Sequence, residues 1–262
     1  MKSFTRVLIA ACLGTAAALA QTPAVASGGV LNAASFATGQ AVPAGALVSI
    51  FGTNLASSTT SSTTIPLSMS LDNSTVTFNN IQAPLLFVSS GQINAQVPWE
   101  LANAQSANVV VTHEGSPSAP IPVQLAPAGP GIFATSSGQA IAYGNSDGAF
   151  AAPVGAIGNS HPAKIGDPTT MVILATGLGP VTPSIPTGAV PPSGSYSSTA
   201  TMPTVTVGGV PAQVVFSGIV GFVGVYQINV VIQPGTPTGD NIPIQIVMNG
   251  VKSNTPTISV SN

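Results

Sequence analysis

The chain has 262 residues, enough for one large domain or two of ordinary size. Its 28 Gly, 24 Pro and 4% charged residues argue against helices, because Gly and Pro cost about 1 and 3 kcal/mol inside a helix relative to Ala; its 44% hydrophobic content argues against disorder. Beyond residue 20, Lys164 and Lys252 alone stand against Asp72, Glu100, Glu114, Asp147, Asp167 and Asp240, and two separated lysines cannot neutralise a run of phosphates, which excludes nucleic acid as a partner.

In chain order, the first feature is an export signal over residues 1–20. Lys2 and Arg6 give a positive start, Val7 to Leu19 is mostly apolar, and Ala18-Leu19-Ala20 supplies the small-x-small pattern before Gln21. About thirteen apolar residues fall short of the roughly twenty that span a bilayer, so no membrane span is expected. Lipid attachment at Cys12 is disfavoured, because the apolar stretch before it would be too short and the apolar run continues past it. Cleavage after Ala20 removes Cys12, the single cysteine, and leaves no disulfide, thiol nucleophile or cysteine metal site.

Four blocks then occur twice in the same order. Val48 to Leu55 returns as Met171 to Leu178, and Thr75 to Ala83 as Thr204 to Ala212. Gln92-Ile93-Asn94 returns as Gln227-Ile228-Asn229, and Val109 to Gly115 as Ile244 to Gly250. Val76 and Phe78 alternate with Thr75 and Thr77, as Val205 and Val207 do with Thr204 and Thr206, which is the period of a strand with one buried face. Asn79-Asn80, Gly208-Gly209, Asn249-Gly250 and, more weakly, Glu114-Gly115 are the residue pairs that tolerate positive φ at both centres of a two-residue hairpin. Short strands with frequent turns and no helical period predict β-sandwiches.

Each half resembles the TIG or IPT class of immunoglobulin-like domain through Pro43-Ala44-Gly45, Ile50 to Leu55, Val76 to Asn80 and Val97-Pro98, although the second half departs at Ala175-Thr176-Gly177-Leu178. The chain after the signal also resembles a carboxy-terminal module of secreted proteins from Acidobacteria such as Solibacter. The residues that carry this are Gly29 to Phe36, Gly91 to Leu101, Pro130-Gly131-Ile132-Phe133, Ala175 to Pro180 and Gly208 to Ala212. That resemblance implies a location and a shape, and no activity. The expectation is an all-β protein of two tandem immunoglobulin-like, TIG/IPT-type β-sandwiches, 21–127 and 128–262, joined at Pro127-Ala128-Gly129-Pro130-Gly131. Its longest loops, Ser57 to Thr64 and Pro180 to Ser198, are where specificity is expected.

No catalytic, cofactor-binding or metal-ligating residue is nominated. His113 beside Glu114, and His161 in Gly158-Asn159-Ser160-His161-Pro162, lack ligand spacing and are expected near solvent, like Glu100. No Gly-x-Ser-x-Gly elbow selects a serine. Asn145-Ser146-Asp147-Gly148 lacks the alternating ligands of a calcium loop and reads as a polar turn. Trp99 reads as a cap on the core with its N–H bonded to a carbonyl, the alternative being an exposed stacking platform. Gln92, Asn94, Gln227 and Asn229 read as amides serving backbone groups. The expected function is a non-enzymatic binding or assembly module, secreted or in the cell envelope, with no cofactor and an unknown protein or glycan partner. The alternative is a carbohydrate-binding accessory of a secreted hydrolase, or a hydrolase.

Overall fold

A computed structural model describes residues 21–144 and 146–262. The expected signal segment, with Cys12, and Asn145 lie outside the described residues. Among those described, the only helical element is a short 3-10 turn, Trp99–Leu101; the rest is strand and turn, as an all-β immunoglobulin-like fold requires.

Two sheets pack together in the first half. One runs in the order Ala24–Asn32, Leu47–Thr53, Gln92–Gln96, Leu85–Val88, Thr60–Ser61; the other runs Ile121–Gln124, Ser106–His113, Ser74–Phe78, Ile81–Ala83. Alternation drives the packing. Ser74, Val76 and Phe78 turn inward while Thr75 and Thr77 stay half-exposed, and Phe78 meets Ile50, Leu85, Ile93, Val109 and Val111 in one core. A second core lies among residues beyond 127, where Ile173, Tyr226 and Ile228 pack with Val205, Val207, Ile244 and Ile246. No strand ladder among the described residues joins the strands before 127 to those after it.

In the second half a single strand, Val210–Ile219, serves both layers. Its first residues pair with Thr204–Val207, its later ones with Tyr226–Val231, and a bulge between Val214 and Phe216 turns the corner. The corresponding run in the first half is divided into Ile81–Ala83 and Leu85–Val88 by Pro84, which has no N–H to give to a ladder. Registers otherwise coincide. Val76 lies opposite Ala83 and Val111 as Val205 lies opposite Ala212 and Ile246, and Ile50 faces Ile93 as Ile173 faces Ile228. All four predicted turn pairs have positive φ at both residues, from Asn79 and Asn80 (48° and 65°) to Asn249 and Gly250 (50° and 81°).

The segment expected as a joint is no loose tether. Ala128, Gly129 and Pro130 are buried. Asn32 Nδ2 donates to Gly129 O at 2.9 Å, and Gly129 N donates to Gly177 O at 2.9 Å. A Cβ on Gly177 would sit 2.3 Å from Gly129 O, so only glycine permits this approach. Thr176, fully buried, accepts from Leu47 N at 2.9 Å and donates to Gly224 O at 2.7 Å. Gln96, equally buried, accepts from Gly188 N at 2.7 Å and donates to Gly45 O at 3.2 Å. These buried amides and hydroxyls are satisfied across the junction, which fixes one orientation of the halves.

The Pro180 to Ser198 loop reaches that junction through Thr187, whose Oγ1 accepts from Trp99 N at 3.0 Å and donates to Glu100 Oε2 at 2.8 Å. Ser57 to Thr64 supplies the edge strand Thr60–Ser61.

Candidate functional site

The best-formed concavity lies in the second half, in a connection longer than its counterpart: Ala142 to Ile173 spans the paired strands there, Val30 to Ile50 in the first half. Its space is about 360 Å³. Ala151, Met171, Val230 and Ile232 make an apolar floor, and the rim carries Asp147, His161, Lys164, Asp167 and Thr170.

Asn145 of the predicted polar turn lies outside the described residues; around it, Gly148 N donates to Gly144 O at 2.9 Å, and Asp147 Oδ1 accepts from Ala149 N at 3.0 Å. The other oxygen, Oδ2, lies 2.8 Å from His161 Nε2. His161 Nδ1 is 3.0 Å from Pro162 O. A carbonyl and a carboxylate are both acceptors, so a ring that satisfies both must donate from both nitrogens and be the imidazolium. The Pro162 carbonyl, then the Asp147 carboxylate, accordingly raise the His161 pKa above its usual 6.5. The Ala149 amide, then His161, lower that of Asp147 below 3.8. His161 therefore keeps the expected partly exposed place, with a specific partner that spacing along the chain could not reveal.

Asp167 is held by Thr169, whose Oγ1 and N donate to Oδ1 at 2.7 and 2.8 Å, and these bonds depress its pKa. Lys164 belongs to no ion pair among the described residues. Thr170 is the most unusual group. Its φ is +67°, a region a β-branched residue rarely enters, and its buried hydroxyl oxygen has no hydrogen-bond partner among the described residues. No cluster of three or more His, Cys, Asp or Glu that would suit a metal ion occurs among the described residues.

His113 departs from expectation. It is buried, not near solvent, because Ser74, Val76 and Phe78 direct their strand inward and His113 lies opposite Ser74 in the ladder. Ser74 Oγ donates to Leu55 O at 2.8 Å and so accepts from His113 Nδ1 at 2.9 Å. In the neutral ring Nε2 then accepts from Ser57 Oγ at 2.8 Å. Serine, histidine and an orienting hydroxyl in line resemble an activated nucleophile. However, the neighbouring backbone donors, Ser57 N and Ser58 N, both bind Asp72 Oδ2 at 2.7 Å. A carboxylate thus occupies the place where an oxyanion would need them.

Trp99 is a cap of an unforeseen kind. Its ring lies on Gly45 of the first half and packs against the core of the second; a Cβ at Gly45 would come within 2.0 Å of it. The indole N–H, expected on a carbonyl, has no partner among the described residues. The recurrent amides, expected on backbone groups, bond to each other. Gln92 Nε2 donates to Asn94 Oδ1 at 2.8 Å and Gln227 Nε2 to Asn229 Oδ1 at 2.9 Å, because residues two apart share a face of a strand.

The fold and these sites define an immunoglobulin-like, all-β protein. Residues 34–126 match the IPT/TIG domain family. A search of curated proteins finds no match. Among solved structures, the chain is similar to SGBP-B from a complex xyloglucan utilization locus in Bacteroides uniformis, with 16% identity over 92% of this chain and 50% of that one and a TM-score of 0.24; the chain thus spans half the length of that protein. Domains 5–6 of the S-layer protein SbsC align at 12% identity over 92% of this chain and 99% of that one, TM-score 0.25. The N-terminal periplasmic domain of ScsB from Proteus mirabilis aligns at 8% identity over 82% and 87%, TM-score 0.18. No helix among the described residues is long and apolar enough to cross a membrane.

Proposed function

We propose that the protein is a non-enzymatic binding module of the cell exterior, a duplicated pair of IPT/TIG-like sandwiches, 21–127 and 128–262, exported by a signal at 1–20. Its ligand sits in the cavity walled by Asp147, His161 and Thr170. One observation carries the reading. Thr170 holds a β-branched residue at φ +67° beside the best-formed concavity, and such backbone strain persists where a surrounding site requires it. The matching registers of the two halves and the IPT/TIG match at 34–126 support the architecture. The non-enzymatic part is supported by both histidines: His161 has each nitrogen committed to an acceptor, and the Ser57–His113 pair has Asp72 on its backbone donors.

The test is a small-molecule screen by amide NMR on the purified chain, using a fragment library that includes saccharides, amino acids and short peptides. Binders should shift resonances of 146–151 and 161–171 in the wild type and lose affinity in Asp167→Asn. Hits confined to other surfaces, or a hydrolytic activity that His113→Ala or His161→Ala abolishes without lowering the melting temperature, would overturn it.

A further inference from the structure

Outside that cavity, we infer a second binding surface, present once in each half: an exterior sheet face on which a glutamine–asparagine pair bordered by aromatic rings takes a neutral polysaccharide. Its components recur in register. Ile93 and Ile228 point into the cores, so Gln92 and Asn94, like Gln227 and Asn229, point out of the sandwiches. Phe51 lies directly opposite Gln92 and Phe87 opposite Asn94; in the second half Leu174 lies opposite Gln227 and Phe216 opposite Asn229. Each face ends in an exposed ring. Phe36, 48% exposed, stands 6.2 Å from Phe51, and Tyr196, 58% exposed, stands 5.2 Å from Phe216, centroid to centroid. Phe36 holds φ at +52°, an outlier for a bulky residue, so strain is accepted locally while the ring stays in water.

The hydrogen bonds of each pair leave the same atoms open. Gln92 Nε2 and Gln227 Nε2 donate to Asn94 Oδ1 and Asn229 Oδ1, and Ser49 Oγ adds a second donor to Asn94. The Oε1 of each glutamine and the Nδ2 of each asparagine then have no partner among the described residues, and none of these atoms is buried, so they face solvent. An acceptor and a donor fixed side by side match two adjacent hydroxyls of a sugar ring, one giving and one receiving. The aromatic rings beside them suit its C–H faces. Charge narrows the class. The strand rows through the asparagines, Leu31, Ser49, Asn94 and Phe87 in one half and Tyr143, Val172, Asn229 and Phe216 in the other, carry no acidic or basic side chain, so neither face draws an ion. An extended peptide would pair its backbone at a sheet edge, whereas a sheet face offers only side chains. Two copies of one face in one chain fit a ligand that repeats its own unit, as a polysaccharide does.

The experiment is an NMR titration of the side-chain amides of the purified chain with separate probes: cellohexaose, xylohexaose, mannohexaose, an oligogalacturonate and a neutral hexapeptide. At least one neutral hexasaccharide should shift the amide resonances of both pairs saturably. Phe36→Ala should weaken binding at Gln92 and Asn94 about tenfold and leave Gln227 and Asn229 unchanged, and Tyr196→Ala should do the reverse. Both substitutions trim exposed rings, so the fold persists. Failure of every neutral hexasaccharide to move either pair would overturn the inference, as would shifts produced by the oligogalacturonate or the peptide alone. A dimer in sedimentation that either substitution dissolves would make a second copy the occupant and overturn it too. The cavity is read separately in the same spectra: a sugar that moves 161–171 and neither amide pair supports the cavity and overturns the exterior face.

Discussion

Replacing His113 by Ala removes a buried ring that ties Ser57 to Ser74, and should destabilise the protein by about 2 to 4 kcal/mol through a cavity and lost hydrogen bonds, measured by urea denaturation. His161→Ala should stay within about 1 kcal/mol, because its pairing with Asp147 is nearly half-exposed on both sides. The two histidines looked alike in the sequence; what separates them is which ladder partner each meets, and ladder partners are not written in local spacing. The His161–Asp147 contact is also a pH-limited latch. His161 has a raised folded pKa, so its contribution is complete below 6.5 and is lost as pH rises through that raised value. Asp147 has a lowered one, so its contribution is complete above 3.8 and is lost as pH falls through the lowered value. An NMR titration of the His161 ring should therefore give a midpoint above 6.5, and Asp147→Asn should bring it down.

Among elements, the hairpins were the most legible, because a two-residue turn makes a demand on φ that few residue pairs meet. Gly209, at φ +81° with open space around it, tests that demand free of steric overlap: Gly209→Val should destabilise by about 1 to 2 kcal/mol through backbone strain alone. The alternation that buried Phe78 and Val205 was equally readable, since period-two patterning is a local property. The corner in Val210–Ile219 was not. A bulge reflects how two layers must meet, and Val214, Val215 and Phe216 read like any other apolar run. The cavity left a faint signal in the length between Ala142 and Ile173, which exceeds that between Val30 and Ile50.

At the scale of the molecule, the buried contacts of Asn32, Gln96, Thr176 and Trp99 predict that the two halves unfold together. Calorimetry of the wild type should show one cooperative transition with calorimetric and van't Hoff enthalpies in agreement. Trp99→Ala should lower stability by about 3 kcal/mol and begin to separate the transition into two. Two well-resolved transitions in the wild type would contradict the rigid junction. This arrangement was illegible beforehand because a Gly- and Pro-rich stretch has the same composition whether it is a mobile tether or a seam where backbones touch. Only the neighbour opposite Gly129 distinguishes them, and that neighbour, Gly177, is remote in sequence.

The seam also bears on inheritance. Asn32, Gly131, Thr176, Gly177 and Trp99 meet at the boundary between the halves. A recombination event that carried off one half would strand a buried hydroxyl, a buried amide and an indole face without partners. Either half taken alone would therefore lay open a polar and aromatic surface that the other half covers.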